Sequence, residues 1–95
     1  MLYKEVYIVL DSLASFLRQR NIAYPEQLSA FNKGLKECLD TGRNLTAKEL
    51  ECLESHFFPD AGMGWINDLQ YELEGEDRKK VQDLTDKFYK LWKDS

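Results

Sequence analysis

Cys52 and His56 stand four residues apart at helical spacing, close enough for a thiolate–imidazole pair or for half of a zinc site. His56 is the only histidine, so any Cys–His or Ser–His chemistry must be built on it. A zinc site needs two further ligands, which only Cys38 or a carboxylate can supply. The neighbours argue for packing instead. Cys38 adjoins Leu39 and Cys52 adjoins Leu53, so both thiols read as small buried hydrophobes. His56, beside Phe57 and Phe58, reads as a helix-end histidine bonded to a last-turn carbonyl.

The other constellations also fall short of a reaction. A calcium loop begun at Asp60 places Gly62, Gly64 and Ile66 at its third, fifth and seventh positions, and Tyr71 where the closing glutamate belongs. Gly62-Met63-Gly64 lacks the preceding strand, the third glycine and the nearby lysine of a phosphate loop. Arg78-Lys79-Lys80 is a small basic cluster, but a pI near 5.0 disfavours nucleic acid, and the cluster reads as a solvated helix face. These readings imply no catalytic residues, no metal and no cofactor.

The carboxylates are most informative through their segregation. Glu49, Glu51, Glu54, Asp60, Asp68, Glu72, Glu74, Glu76 and Asp77 occur in one stretch without a lysine or arginine, giving it −9. The whole chain is −4, so the remainder, with thirteen basic and eight acidic residues, carries +5. A one-signed field of this kind attracts a basic partner and speeds its association. The competing reading is that the acids only solvate helix faces.

The elements that must position these side chains are helical throughout. Val6, Val9, Leu10, Leu13, Phe16 and Leu17 form one stripe over residues 3–20, with Arg18 and Arg20 at the negative end of the helix dipole and Asn21 as the stop. Pro25 opens a second helix with Leu28, Phe31, Leu35 and Leu39 inward, ended by Gly42 after Thr41. Thr46-Ala47-Lys48-Glu49 is a capping box, with Leu45 and Leu50 as its hydrophobic staple. The third helix runs to about Phe57, burying Leu50, Leu53 and Phe57, and stops before Pro59. After the loop 59–64, a short helix places Trp65, Leu69 and Leu73 in line and breaks at Gly75. A last helix from about Glu76 to Lys93 carries Val81, Leu84, Phe88, Leu91 and Trp92 inward. The fold expected is one all-α domain spanning 1–95, a bundle of four to five short helices.

At 43% hydrophobic and 13% aromatic, a chain of 95 residues can fill a core without staples. Its apolar opening Val6–Leu10 is broken at Asp11, too short for a signal peptide or a membrane span. Cytoplasmic location, reduced thiols and no membrane partner are the corresponding expectations.

The run Phe58-Pro59-Asp60-Ala61-Gly62-Met63-Gly64-Trp65-Ile66-Asn67-Asp68-Leu69 resembles a glycine-rich F-G-G-M-G-S-x-N-D-L segment of a group of small uncharacterised bacterial helical proteins. The match lies at Gly62, Met63, Gly64, Asn67, Asp68 and Leu69. It departs at Trp65, where the group tends to have serine, and at Pro59-Asp60-Ala61. The resemblance implies bacterial origin and no known enzymatic activity. By size and acidity alone the chain is also similar to immunity proteins of bacterial toxin systems.

Two functions follow as expectations, neither of them enzymatic. In the first, the chain is an inhibitor or immunity protein that covers a basic partner such as a toxin. Glu51, Glu54, Asp60, Asp68, Glu72 and Glu74 form its acidic face, with Met63, Trp65 and Tyr71 as anchors. In the alternative, Tyr3, Tyr7, Phe88, Tyr89 and Trp92 are exposed and pair helices in a homodimer of a structural or regulatory module.

Overall fold

The computed structural model describes residues 3–22, 24–57, 69 and 72–93. Four helices account for nearly all of them: α1 (Tyr3–Arg20), α2 (Pro25–Thr41), α3 (Ala47–Phe57) and α4 (Gly75–Lys93). The described residues contain no strand, so the chain is an all-α bundle, as its periodicity implies. No described helix is long and apolar enough to cross a membrane. Of the short helix expected over 65–73, Leu69 and Glu72 are helical, Leu73 is buried like Leu69 but stands past the helical turn, and 65–68, 70 and 71 lie outside the described residues.

Helix α1 is the centre of the bundle because its stripe is wide enough to serve two neighbours. Val6, Val9, Leu10, Leu13, Ala14 and Leu17 are all buried, and α1 packs against both α2 and α4. Phe16 is half-buried at the edge of the stripe, with the Arg20 guanidinium 5.5 Å from its ring centroid. The helix ends in a Schellman arrangement. Asn21 takes φ 56°, its N–H donates to the Arg18 carbonyl at 3.2 Å, and the Ile22 N–H donates to the Leu17 carbonyl at 2.9 Å. Ile22 then folds onto the core, which closes the turn into α2.

Proline at the first turn starts α2, and Gly42 at φ 77° ends it, donating its N–H to the Cys38 carbonyl at 2.8 Å. Leu28, Phe31 and Leu35 are buried as their spacing requires. The expectation for Leu39 is corrected: it is 40% exposed, and Cys38 is buried in its place. Cys38 lies two turns from Phe31 on nearly the same side of the helix, so the stripe continues through it.

Two buried polar residues escaped the sequence reading. Asn32 crosses the α1–α2 contact, its Nδ2 donating to the Tyr7 carbonyl at 2.9 Å. Thr85, fully buried on α4, satisfies its hydroxyl by donating to the Val81 carbonyl at 2.7 Å.

Helix α4 runs antiparallel to α1, since Arg20 at the end of α1 lies 3.3 Å from Asp77 at the start of α4. Val81 and Phe88 are fully buried, with Leu84, Leu91 and Trp92 packed at the edge of the core. The aromatic patch expected to be exposed at the termini is therefore corrected. Phe88 is core, stacked 5.4 Å from Trp92, while Tyr3, Tyr7, Tyr89 and Trp92 are half-buried against the same cluster. A ring that fills the α1–α4 seam is removed from water by that seam before any second chain arrives.

Candidate binding surface

The acidic stretch begins with a residue whose charge is already engaged. The capping box of α3 forms as its spacing implies: the Thr46 N–H donates to Glu49 Oε1 at 2.9 Å, and the Glu49 N–H donates to Thr46 Oγ1 at 3.1 Å. Leu45 is buried and Leu50 half-buried against the same core, consistent with the staple. Arg43 then grips the same carboxylate with both arms of its guanidinium, Nη1 to Oε1 at 2.9 Å and Nη2 to Oε2 at 3.2 Å. Nη2 also donates to the Gly34 carbonyl at 3.3 Å, Nη1 to the Asn44 carbonyl at 3.0 Å, and Nε lies 3.5 Å from Glu37.

One arginine thus ties α2, the connection and α3 together. The Arg43 hydrogen bonds, followed by the Thr46 backbone donor, hold the Glu49 carboxyl down at about 2. The same hydrogen bond to Glu49 holds Arg43 more firmly protonated than usual. Gly34 makes this possible, because a Cβ there would collide with Glu49 Oε2. Neither Arg43 nor Gly34 figured in the sequence reading. The available signal was a lone arginine between a helix stop and a capping box.

The other acids are deployed differently. Glu51 and Glu54, one turn apart on α3, are both exposed, as are Glu72, Glu74 and Glu76. None of these five forms an ion pair with a described residue. Asp77 is engaged by Arg20, and with Glu76 it occupies the first turn of α4, where the helix dipole favours carboxylates. Of the expected contact residues, Glu51, Glu54, Glu72 and Glu74 are therefore solvent-facing. Asp60, Met63, Trp65, Asp68 and Tyr71 lie outside the described residues, as does the whole glycine-rich run up to Asp68.

Beside α3 lies a cleft of about 470 Å³ lined by Gln27, Ala30, Phe31, Lys48, Glu49 and Cys52. Its floor is Phe31, and Lys48 stands exposed one turn before Glu51. The cleft also corrects the reading of the thiols. Cys38 is buried, but Cys52 is exposed, because the buried line of α3 runs through Leu53 and Leu50 and leaves Cys52 at its margin. The side chain of His56 lies outside the described residues, so the Cys52–His56 pairing does too. Among the described residues no group of three or more His, Cys, Asp or Glu side chains is placed to hold a metal ion.

Comparisons of the chain with protein-family models, with curated proteins and with solved structures find no match.

Proposed function

We propose that this chain is a non-catalytic binding domain that covers a basic protein partner, acting as an inhibitor in the manner of an immunity protein against a toxin. The observation that supports this reading is the division among its acids. Glu49 and Asp77 are used to fasten helices, whereas Glu51, Glu54, Glu72, Glu74 and Glu76 are exposed without an ion pair to any described residue. Carboxylates left hydrated and unpaired lose little on meeting a cation and add a long-range attraction that raises the on-rate. A purely solvating role needs neither the absence of bases from 49–77 nor their surplus elsewhere.

The test is capture from a lysate with tagged wild type beside two charge-matched variants, at low and at moderate salt. One variant carries Glu51→Lys and Glu72→Lys. The other carries Asp83→Lys and Asp86→Lys, exposed acids of α4 outside the stretch. A basic protein retained by wild type and by the α4 variant, but lost by the first, supports the proposal and identifies the target. Equal loss with both variants reduces the acidic stretch to a net-charge effect and overturns it.

A further inference from the structure

The outer side of the α1–α4 seam is unlike the acidic side. It holds a groove of about 230 Å³ lined by Glu5, Ile8 and Val9 of α1 and by Lys87 and Leu91 of α4. Ile8 is 53% exposed at the rim of this groove. Val9 is buried beneath it and Leu91 is half-buried, so an apolar strip is presented at the surface.

The charges at this strip are the second observation. Glu5 and Lys87 are both exposed, and neither makes an ion pair with a described residue. Arg20 beside Asp77 fixes the antiparallel register. That register sets Glu5 level with the Leu91 turn, and Lys87 just beyond the level of Val9. The acid therefore marks one end of the strip on α1 and the base marks the other end on α4.

We propose that this groove is the contact face of a homodimer, with a second copy of the chain as its occupant. A two-fold axis lying in the face and crossing the strip exchanges its ends, so each Glu5 meets the other copy's Lys87 while Ile8 and Leu91 close the middle. A face with one acid, one base and an apolar strip between them is complementary to itself, which is the requirement of an isologous contact. It complements a uniformly acidic or basic partner only by leaving one of its charges opposed. The dimer leaves Glu51 and Glu54 on α3 untouched, so it stands independently of the acidic-face reading.

Sedimentation of the full chain over a concentration series tests it, with circular dichroism confirming that each variant keeps its helix content. Wild type is expected to dimerise. Ile8→Glu, an exposed position that folding tolerates, is expected to weaken the dimer by about a hundredfold. Glu5→Lys or Lys87→Glu alone opposes like charges twice and weakens it by about tenfold. The E5K and K87E chains mixed together regain two attractive pairs, and so does the double variant on its own, so both restore the dimer. A wild type that stays monomeric at high concentration overturns the proposal. A dimer indifferent to Ile8→Glu, or single charge variants that mixing fails to rescue, overturns it equally.

Discussion

Helices α1, α2 and α4 supply most of the apolar core, whereas α3 adds Leu53 and Leu50 to it and is also fastened to α2 by polar groups. The core side buries Leu10, Leu13, Leu17, Leu28, Leu35 and Phe88 completely. On the α3 side Leu53 is fully buried and Leu50 half-buried, and the attachment is completed by Arg43, Glu49, Thr46 and the Gly34 carbonyl. Apolar burial is non-directional and tolerates small displacements, while a two-armed arginine grip works only at one geometry. The bundle thus combines a body held by apolar burial with a shorter helix that adds a polar grip to its buried leucines, and that helix carries Glu51 and Glu54.

The comparison is broken most forcefully from the core side. Leu13→Ala deletes a fully buried side chain at the centre of α1, with expected destabilisation of about 2–5 kcal/mol by urea or thermal unfolding. A loss well below that range means that α1 is not the common core element. On the α3 side, Thr46→Ala removes one half of the capping box and is expected to cost about 1 kcal/mol. Amide hydrogen exchange separates the two regions: Thr46→Ala should speed exchange in α3 while α1 keeps its protection. Uniform acceleration across both helices overturns the idea that α3 opens on its own.

How legible each side was from the sequence follows the same division. The stripe of α1, the proline start and glycine stop of α2 and the capping box are local patterns, and each appears where its spacing places it. Leu39 and Cys38 show the limit of periodicity. Leu39 continues the line of Leu28 and Leu35 and Cys38 that of Phe31, so spacing admits both, and the neighbouring elements decide which is covered. Cys52 was misread because an apolar neighbour in sequence is not a neighbour on a helix face. Glu49 was legible as a cap but not as a charge already engaged, because Arg43 reaches it only after the chain turns at Gly42. The exposure of Glu51, Glu54, Glu72 and Glu74 was legible from composition, since hydrated carboxylates need no partner.

The grip on Glu49 gives α3 a pH dependence that the core lacks. The carboxyl falls from an ordinary 4.5 to about 2 on folding, so its contribution is fully present above the unfolded value and fades as pH drops toward the folded one. Glu49→Gln keeps a hydrogen-bonding amide but cannot charge. Its stability deficit relative to wild type should be constant above 4.5 and should shrink as pH falls toward about 2. The side chains of Arg43 and Glu49 are 32% and 25% exposed, so solvent screens the pair and keeps the effect below that of a core truncation. Urea midpoints of the two proteins over this pH range measure it. A deficit that does not change with pH assigns the role of Glu49 to shape rather than charge.

The smallest expected change in stability comes from Gly34→Ala, and it is the one that best separates the two sides. Within α2 the substitution favours the helix by about 1 kcal/mol, because glycine is the costlier residue in a helix interior. Against that gain, the new Cβ collides with Glu49 Oε2 and must push the carboxylate off the Arg43 guanidinium. The two effects oppose each other, so the unfolding free energy should change by only about a few tenths of a kcal/mol. The titration of Glu49, followed by carboxyl NMR, is not subject to that cancellation. Loss of the arginine hydrogen bonds should raise its pKa from about 2 toward 4.5. A variant stabilised by the full helix gain with Glu49 still titrating near 2 means that the carboxylate evades Cβ without leaving Arg43. Then α3 is held by the fit of Leu53 and Leu50 against α2, as the other helices are held by theirs.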